Sequence, residues 1–263
     1  MAIGLTFSLS TFAESNPNPT WQPPADIASA FLLSVNGKDI WQSNSEKRLP
    51  PASLTKLVVA LVIVDNPKLG DWVTISTNAS KQEGTKLHLN PQEQFRAAYL
   101  LGAMLIKSAN DACMALAEWD SGSEAAFVKK MNAKVGTLKL KNTHFTNACG
   151  FDVVDHYSSA SDLAEIAKAA NQIQKIKVWT DMQNFTLESK AGKKRDFISS
   201  NLLLGRVEGV DGLKTGFTKK AGKCLIAHGK RNNREVYLVM LNAPNRWWDA
   251  VDILNLAFSY DSK

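Results

Sequence analysis

Ser53-Leu-Thr-Lys-Leu-Val-Val-Ala-Leu-Val-Ile-Val64, directly behind Pro50-Pro51, is the stretch on which the fold turns. The prolines break the chain, and the residues after them read as a helix that is apolar nearly all round. A helix of that kind needs neighbours on several sides, so it belongs inside a core. On its N-terminal side, residues 30–43 alternate apolar and polar around Asn36-Gly37, a strong two-residue hairpin signal. On its C-terminal side, Asp71 to Leu89 reads as short strands and loops. Helices are then expected over Pro91–Lys107, Asp111–Trp119, Ser123–Val135 and Ser161–Ala170, with Ser123 and Ser161 as starts. Strand patterns return at Asn184–Ser189 and Asp196–Ser200, joined through Ala191-Gly192. Two more, Gly222–His228 and Glu235–Asn242, flank a turn at Arg231–Arg234, and an amphipathic helix closes the chain from about Arg246 to Tyr260. Strands at both ends with a helical block between them predict an α/β chain of the α+β type. Its antiparallel sheet is built from both ends, with helices on the faces and a mainly helical insertion over about 66–180.

The 263 residues are 44% hydrophobic and 21% charged, as in ordinary globular proteins. No apolar run reaches the ~18 residues of a transmembrane helix, and residues 21–263 are expected to form one domain. Residues 1–20 are set apart. Ile3 to Phe12 is mostly apolar and Thr11-Phe12-Ala13 suits signal cleavage, but no Lys or Arg precedes Lys38. This start reads as the remnant of an export signal and a flexible terminus. The net charge of +6 concentrates in Lys190, Lys193, Lys194 and Arg195, and in Lys219, Lys220, Lys223, Lys230, Arg231 and Arg234. A solvated basic face and attraction to an anionic polymer or lipid surface account for it equally well. No basic recognition helix or aromatic RNA-binding motif points to nucleic acid. Cys113, Cys149 and Cys224 lack metal-type spacing and sit among small or apolar residues, so buried free thiols are expected. One disulfide stays open to an exported chain, although an odd count cannot pair completely.

Three short words carry chemistry: Ser53-Leu-Thr-Lys56, Ser108-Ala-Asn110 and Lys214-Thr-Gly216. They form, in order, the set found in penicillin-binding proteins and β-lactamases. Singly they are weak: a Ser-x-x-Lys match arises about once by chance in a chain of this length. Context sharpens them. Ser53 opens the buried helix and Lys56 follows one turn later on the same face. A lysine desolvated by Leu54, Leu57 and Val58 can lose its proton near neutrality and serve as base for Ser53. An ordinary N-cap serine and an exposed lysine would be the bland alternative. Ser108 and Asn110 fall at a helix junction, where they either cap or face a cleft. Lys214-Thr215-Gly216 is placed just before a strand-pairing region, where Gly216 lets a ligand approach the backbone and an edge strand can bind an extended peptide. No HExxH or Cys/His ligand set, nucleophile elbow or phosphate loop occurs, so neither metal nor cofactor is expected. His88, His144, His156 and His228 are scattered and read as structural or surface residues. His156, in a polar loop with Asp152 and Asp155, is the one to watch.

Longer stretches resemble the low-molecular-mass D-alanyl-D-alanine carboxypeptidases. They are Arg48-Leu-Pro-Pro-Ala-Ser-Leu-Thr-Lys56, Ser108-Ala-Asn-Asp-Ala-Cys-Met-Ala-Leu-Ala-Glu118, Asn142-Thr-His-Phe-Thr-Asn147, His156-Tyr-Ser-Ser-Ala160, Asp211-Gly-Leu-Lys-Thr-Gly-Phe-Thr218 and Ala221-Gly-Lys-Cys-Leu225. The likeness spans roughly residues 28–260. It implies a β-lactamase/transpeptidase-like fold with a five-stranded antiparallel sheet. It also implies acylation of Ser53 by the penultimate D-Ala of a peptidoglycan stem peptide, release of the last D-Ala, and hydrolysis. Lys56 would be the base, Ser108 and Lys214 proton relays, and Asn110 the substrate holder. The N–H groups of Ser53 and Phe217 would form the oxyanion hole, and β-lactams would acylate the same serine. Phe217 stands where some members have His. Ser200 stands where some have Arg, leaving carboxylate recognition to Thr215 and Lys214. Cys149-Gly-Phe151 stands where His-Gly-Leu is common. Anchored members continue into a β-rich domain and an anchor helix. This chain ends at Lys263, so a periplasmic or secreted enzyme is expected. A D,D-endopeptidase and an inactive wall-binding protein remain the alternatives. A β-lactamase is disfavoured by the lack of Glu-x-x-x-Asn between the second and third words.

Overall fold

The hairpin at Asn36-Gly37 forms as its residues require. β1 (Ala30–Val35) and β2 (Lys38–Ser43) pair antiparallel from Val35↔Lys38 outward. Both turn residues take positive φ, +49° and +79°, which is what a type I′ turn demands. The computed structural model describes residues 26–260; the reading of residues 1–20 as a signal remnant lies outside them.

The chain then enters a 3₁₀ turn (Ala52–Thr55) that leads into α1 (Lys56–Ile63). The helical region follows: β3 (Trp72–Thr74), α2 (Thr77–Ser80), β4 (Gln94–Arg96), α3 (Ala97–Ile106), α4 (Asn110–Ser121), α5 (Glu124–Thr137), α6 (Ala160–Asn171) and α7 (Gln174–Thr180). A small hairpin of β5 (Asn184–Glu188) and β6 (Lys194–Ile198) precedes β7 (Val210–Thr218), β8 (Gly222–Arg231), β9 (Arg234–Leu241) and α8 (Arg246–Ser259). The main sheet has five antiparallel strands in the order β2-β1-β9-β8-β7. The first hairpin thus joins the last three strands, as the strand patterns at the two chain ends predicted.

Alternation along the strands divides the core. Leu32, Ile226, Val239 and Leu241 face the helical region, while Phe31, Leu33, Leu238 and Met240 pack against Ile253, Leu254 and Phe258 of α8. Every residue of β1 is buried, because both faces are covered. All of α1 is buried as well, with α3, α4, α5 and α6 around it. Burying one of its Leu or Ile side chains contributes about 1.5–3 kcal/mol. The exception is Lys56, fully buried in the same helix.

Three element assignments and one cysteine pairing differ from the sequence reading. The segment expected to be helical from Pro91 begins instead with β4, whose Phe95 is buried where it pairs with β3. The cap of α6 is Ser159, whose side chain accepts from Asp162 N, rather than Ser161. Lys214-Thr215-Gly216 does not precede a strand but lies inside β7, at the sheet edge. Cys113 and Cys149 form a disulfide and are not free thiols, whereas Cys224 is free and buried. Strand pairing and a cross-link over 36 residues are tertiary contacts invisible to a short window. The cap is local: Ser159 and Ser161 are alike as residue types and are told apart only by which one bonds the first turn.

Candidate active site

The three words of the sequence meet where the sheet edge faces the helices. Ser53 sits in the 3₁₀ turn, one turn before Lys56, and Lys56 Nζ lies 2.9 Å from Ser53 Oγ. The same nitrogen donates to Asn110 Oδ1 at 2.8 Å and to the Cys149 carbonyl at 2.6 Å. Asn110 starts α4 and is itself fixed by donating Nδ2 to the Glu83 carbonyl at 2.6 Å and its backbone N–H to Thr85 O at 2.8 Å. Ser108 occupies the α3–α4 junction at φ +67°, a left-handed conformation that costs a non-glycine residue energy and is found at functional turns. From there its Oγ accepts from Lys214 Nζ at 2.8 Å.

β7 brings the third word alongside. A Cβ on Gly216 would stand 3.0 Å from Ala52 Cβ and 3.1 Å from Ser53 N, so the absence of a side chain lets the edge strand close on the nucleophile turn. Thr215 Oγ1 shares a 2.8 Å hydrogen bond with Ser200 Oγ. Phe217, the next residue of β7, is 63% exposed.

Electrostatics set these lysines apart. Lys56 and Lys214 are both fully buried. Burial first, and the Lys214 charge second, hold Lys56 well below its usual range. Burial, with the Arg246 charge behind it, lowers Lys214 to about 7. A buried cation without a carboxylate to neutralise it favours its neutral form. Neutral Lys56, at hydrogen-bond distance from a serine hydroxyl, can accept the hydroxyl proton. The arrangement is that of an activated serine nucleophile with a lysine base.

The site residues named from sequence thus gather here: Ser53, Lys56, Ser108, Asn110, Ser200, Lys214, Thr215, Gly216 and Phe217. Two contributors escaped that reading. Arg246, at the start of α8, donates to the Gly216 carbonyl at 2.6 Å and the Cys224 carbonyl at 3.0 Å. The Cys149 carbonyl is a backbone group and leaves no residue-type signal. His156, singled out only as worth watching, is buried below the nucleophile turn. Its Nδ1 accepts from Thr146 N at 3.1 Å, so its Nε2–H donates to Thr55 Oγ1 at 2.9 Å, and Thr55 donates onward to Ala52 O at 2.8 Å. Burial, then the His144 charge, lower His156 to about 4, so it stays a neutral brace and not a base.

A family model described as D-alanyl-D-alanine carboxypeptidase matches residues 18–245. The chain belongs to this family. It is 37% identical over 264 residues to the D-alanyl-D-alanine carboxypeptidase DacF of Bacillus subtilis, covering 97% of this chain and 68% of that protein. To DacA of Escherichia coli K12 it is 36% identical over 225 residues, covering 78% of this chain but only 53%, about half, of that protein's length. Among solved structures, the D-alanyl-D-alanine carboxypeptidase of Mycobacterium tuberculosis superposes with a TM-score of 0.86 at 26% identity, covering 95% of this chain and 98% of that one. Family membership makes the chain a serine peptidase with the fold of the DD-peptidases.

Proposed function

We propose that this chain is a serine D,D-carboxypeptidase that removes the terminal D-Ala from peptidoglycan stem pentapeptides. The observation that carries the reading is Lys56: fully buried, held toward its neutral form, and 2.9 Å from Ser53 Oγ. Ser53 Oγ attacks the penultimate D-Ala carbonyl carbon while Lys56 takes the hydroxyl proton. The oxyanion is held by the N–H groups of Ser53 and Phe217. Collapse breaks the peptide bond, and the departing amine takes a proton passed through Lys56, Ser108 and Lys214. Water then attacks the Ser53 ester by the reverse proton route. Asn110 orients the substrate amide. Lys214, Thr215 and the Ser200 hydroxyl bonded to it recognise the terminal carboxylate, and β7 pairs with the extended peptide as an edge strand. β-Lactams acylate the same serine.

Residues 21–263 act on this reading as one catalytic domain, with the helical insertion of about 66–180 forming the wall opposite β7. Exported to the cell wall, the enzyme would meet its polymer in the periplasm or outside the cell. Among the described residues no helix is long and apolar enough to cross a membrane. Mass spectrometry of the chain incubated with a pentapeptide muropeptide and a cross-linked dimer together tests the assignment. Loss of one D-Ala from the monomer, abolished by Ser53→Ala, is expected. Splitting of the dimer alone would transfer the reading to an endopeptidase. Survival of both substrates with folded protein would leave only wall binding.

A further inference from the structure

The Cys113–Cys149 disulfide is buried beside the proposed base. Cys113 lies on α4, three residues after Asn110, and Cys149 lies in the loop 146–151; both sulfurs are enclosed, the residues being 0% and 2% exposed. Two of the three acceptors around Lys56 Nζ, Asn110 Oδ1 and Cys149 O, therefore sit on the two segments that this bond joins. Non-covalent contacts shape the loop internally and seat it on the nucleophile turn. Asn147 Oδ1 accepts from Gly150 N at 2.8 Å and Phe151 N at 2.9 Å. Gly150, at φ +87°, packs its bare Cα so close to Ala52 that a Cβ would meet the Ala52 carbonyl at 2.0 Å. The loop thus lies over the nucleophile turn, and the sulfur–sulfur bond ties it covalently to α4.

We infer that Cys113 and Cys149 are a redox-dependent positioning pair for Lys56, an inference that rests on reading Lys56 as the base. In the disulfide state the Cys149 carbonyl is fixed as an acceptor for Nζ and water is kept from the lysine. Forming the bond removes two electrons and two protons from the two thiols, taken up by an oxidant of the thiol–disulfide exchange class. A dithiol returns them and closes to its own cyclic disulfide. Reduction frees the loop from α4, so Lys56 loses a fixed acceptor and gains access to water. Cys224 does not interfere: its thiol, buried on β8, is pushed up to about 11 by burial and is a poor attacking thiolate. The device restricts full activity to oxidising compartments, where disulfides persist.

The experiment uses the full chain in three forms: oxidised, refolded with dithiothreitol, and as the double variant Cys113→Ala/Cys149→Ala. The rate of acylation by a fluorescent penicillin is followed across pH, with circular dichroism reporting the fold. Expected for the reduced and double-variant proteins is acylation slower by about tenfold or more, the scale of a small misplacement of a catalytic group. The acid limb of the profile should also move to higher pH, because water restores part of the ammonium's solvation. Reoxidation of the wild type should restore rate and limb together. Should the reduced chain fail to refold, the double variant, which holds neither thiol, decides by the same limb. Unchanged rate and limb in folded double variant, or faster acylation on reduction, would overturn the inference. No acylation of the oxidised chain would instead bring down the proposed function, and this inference with it.

Discussion

Two buried polar clusters share β7 and β8, and they are built on opposite principles. At Lys214 two cations, Lys56 and Lys214, are buried without a carboxylate partner, and both are pushed toward neutrality. Three residues earlier on the same strand, Asp211 hydrogen-bonds His228 Nδ1 and lies 3.2 Å from Lys177 Nζ. His228, fully buried, also faces Glu235 Oε1 at 3.2 Å and the Asn171 amide, which in turn reaches Tyr237. Burial alone would raise Asp211, but the His228 hydrogen bond and the charges of His228 and Lys177 outweigh it and hold the carboxyl below its usual range. The Lys177–Asp211 pair ties the sheet to α7, and the Asn171 amide ties it to α6. Charges left unpaired are costly to bury, and that cost is tolerated where a group poised between its two protonation states has work to do.

The contrast breaks first at Lys56. Lys56→Met should reduce penicillin acylation by ~10²–10⁴-fold, the usual worth of a positioned base, while urea unfolding shows stability unchanged or raised, since a desolvated amine is removed. A large loss of stability would mean that Lys56 is structurally paired and that the contrast is false.

A smaller and graded effect is expected from pH. With Lys214 near 7, kcat/KM for a peptide bearing a free carboxylate should fall as pH rises through that value and the ammonium is lost. The stability sign follows from linkage. Unfolded, the lysine titrates near its ordinary ~10.4, so between the two values the unfolded chain binds more protons and stability from this group rises with pH. Thermal unfolding of wild type and Lys214→Met should diverge most below pH ~7, where folding must bury the charge. Parallel curves would place Lys214 in the paired class.

The least effect on chemistry is expected at the other cluster. Asp211→Asn should destabilise the chain by about 1–3 kcal/mol, as for a buried partner left unsatisfied, and leave acylation of the folded protein within about twofold. Because its carboxyl is held low, the stability that Asp211 supplies is present above its unfolded pKa and is lost as pH falls through the folded value. A catalytic defect without loss of stability would show that the two clusters are coupled along β7.

Eight of the nine named site residues were legible because a short word or a family-like stretch carries each; Ser200 is marked only by its place before Asn201. The fold brings the three words together in space. The helix from Ser53 was legible because an apolar run behind two prolines has few other places to go, and the first hairpin because Asn-Gly accepts positive φ. Arg246 was not legible as a site residue. Asn245-Arg246-Trp247 reads as an ordinary helix start, and only the packing of α8 beneath β8 turns its guanidinium toward the Gly216 and Cys224 carbonyls. The basic words at Lys190–Arg195 left two readings open, and only the fold shows their partners. Lys193 and Arg195 reach Glu93, and Lys194 reaches Glu188, so much of that charge is answered by acidic residues distant in sequence or across the hairpin.

Local chemistry along the chain was enough to indicate the hairpin turn, the buried first helix, the strands at both ends that build the sheet and the candidate reacting groups. Each depends on contacts within a few residues or on apolar periodicity. Tertiary structure alone decided which lysines are desolvated, which acids are paired, that Cys113 meets Cys149, and that Lys-Thr-Gly lies within an edge strand against Ser53. Desolvation, charge pairing and cross-linking depend on distance in space, and residues 36 to 161 positions apart, such as Cys113 and Cys149 or Ser53 and Lys214, acquire that distance only when the chain is folded.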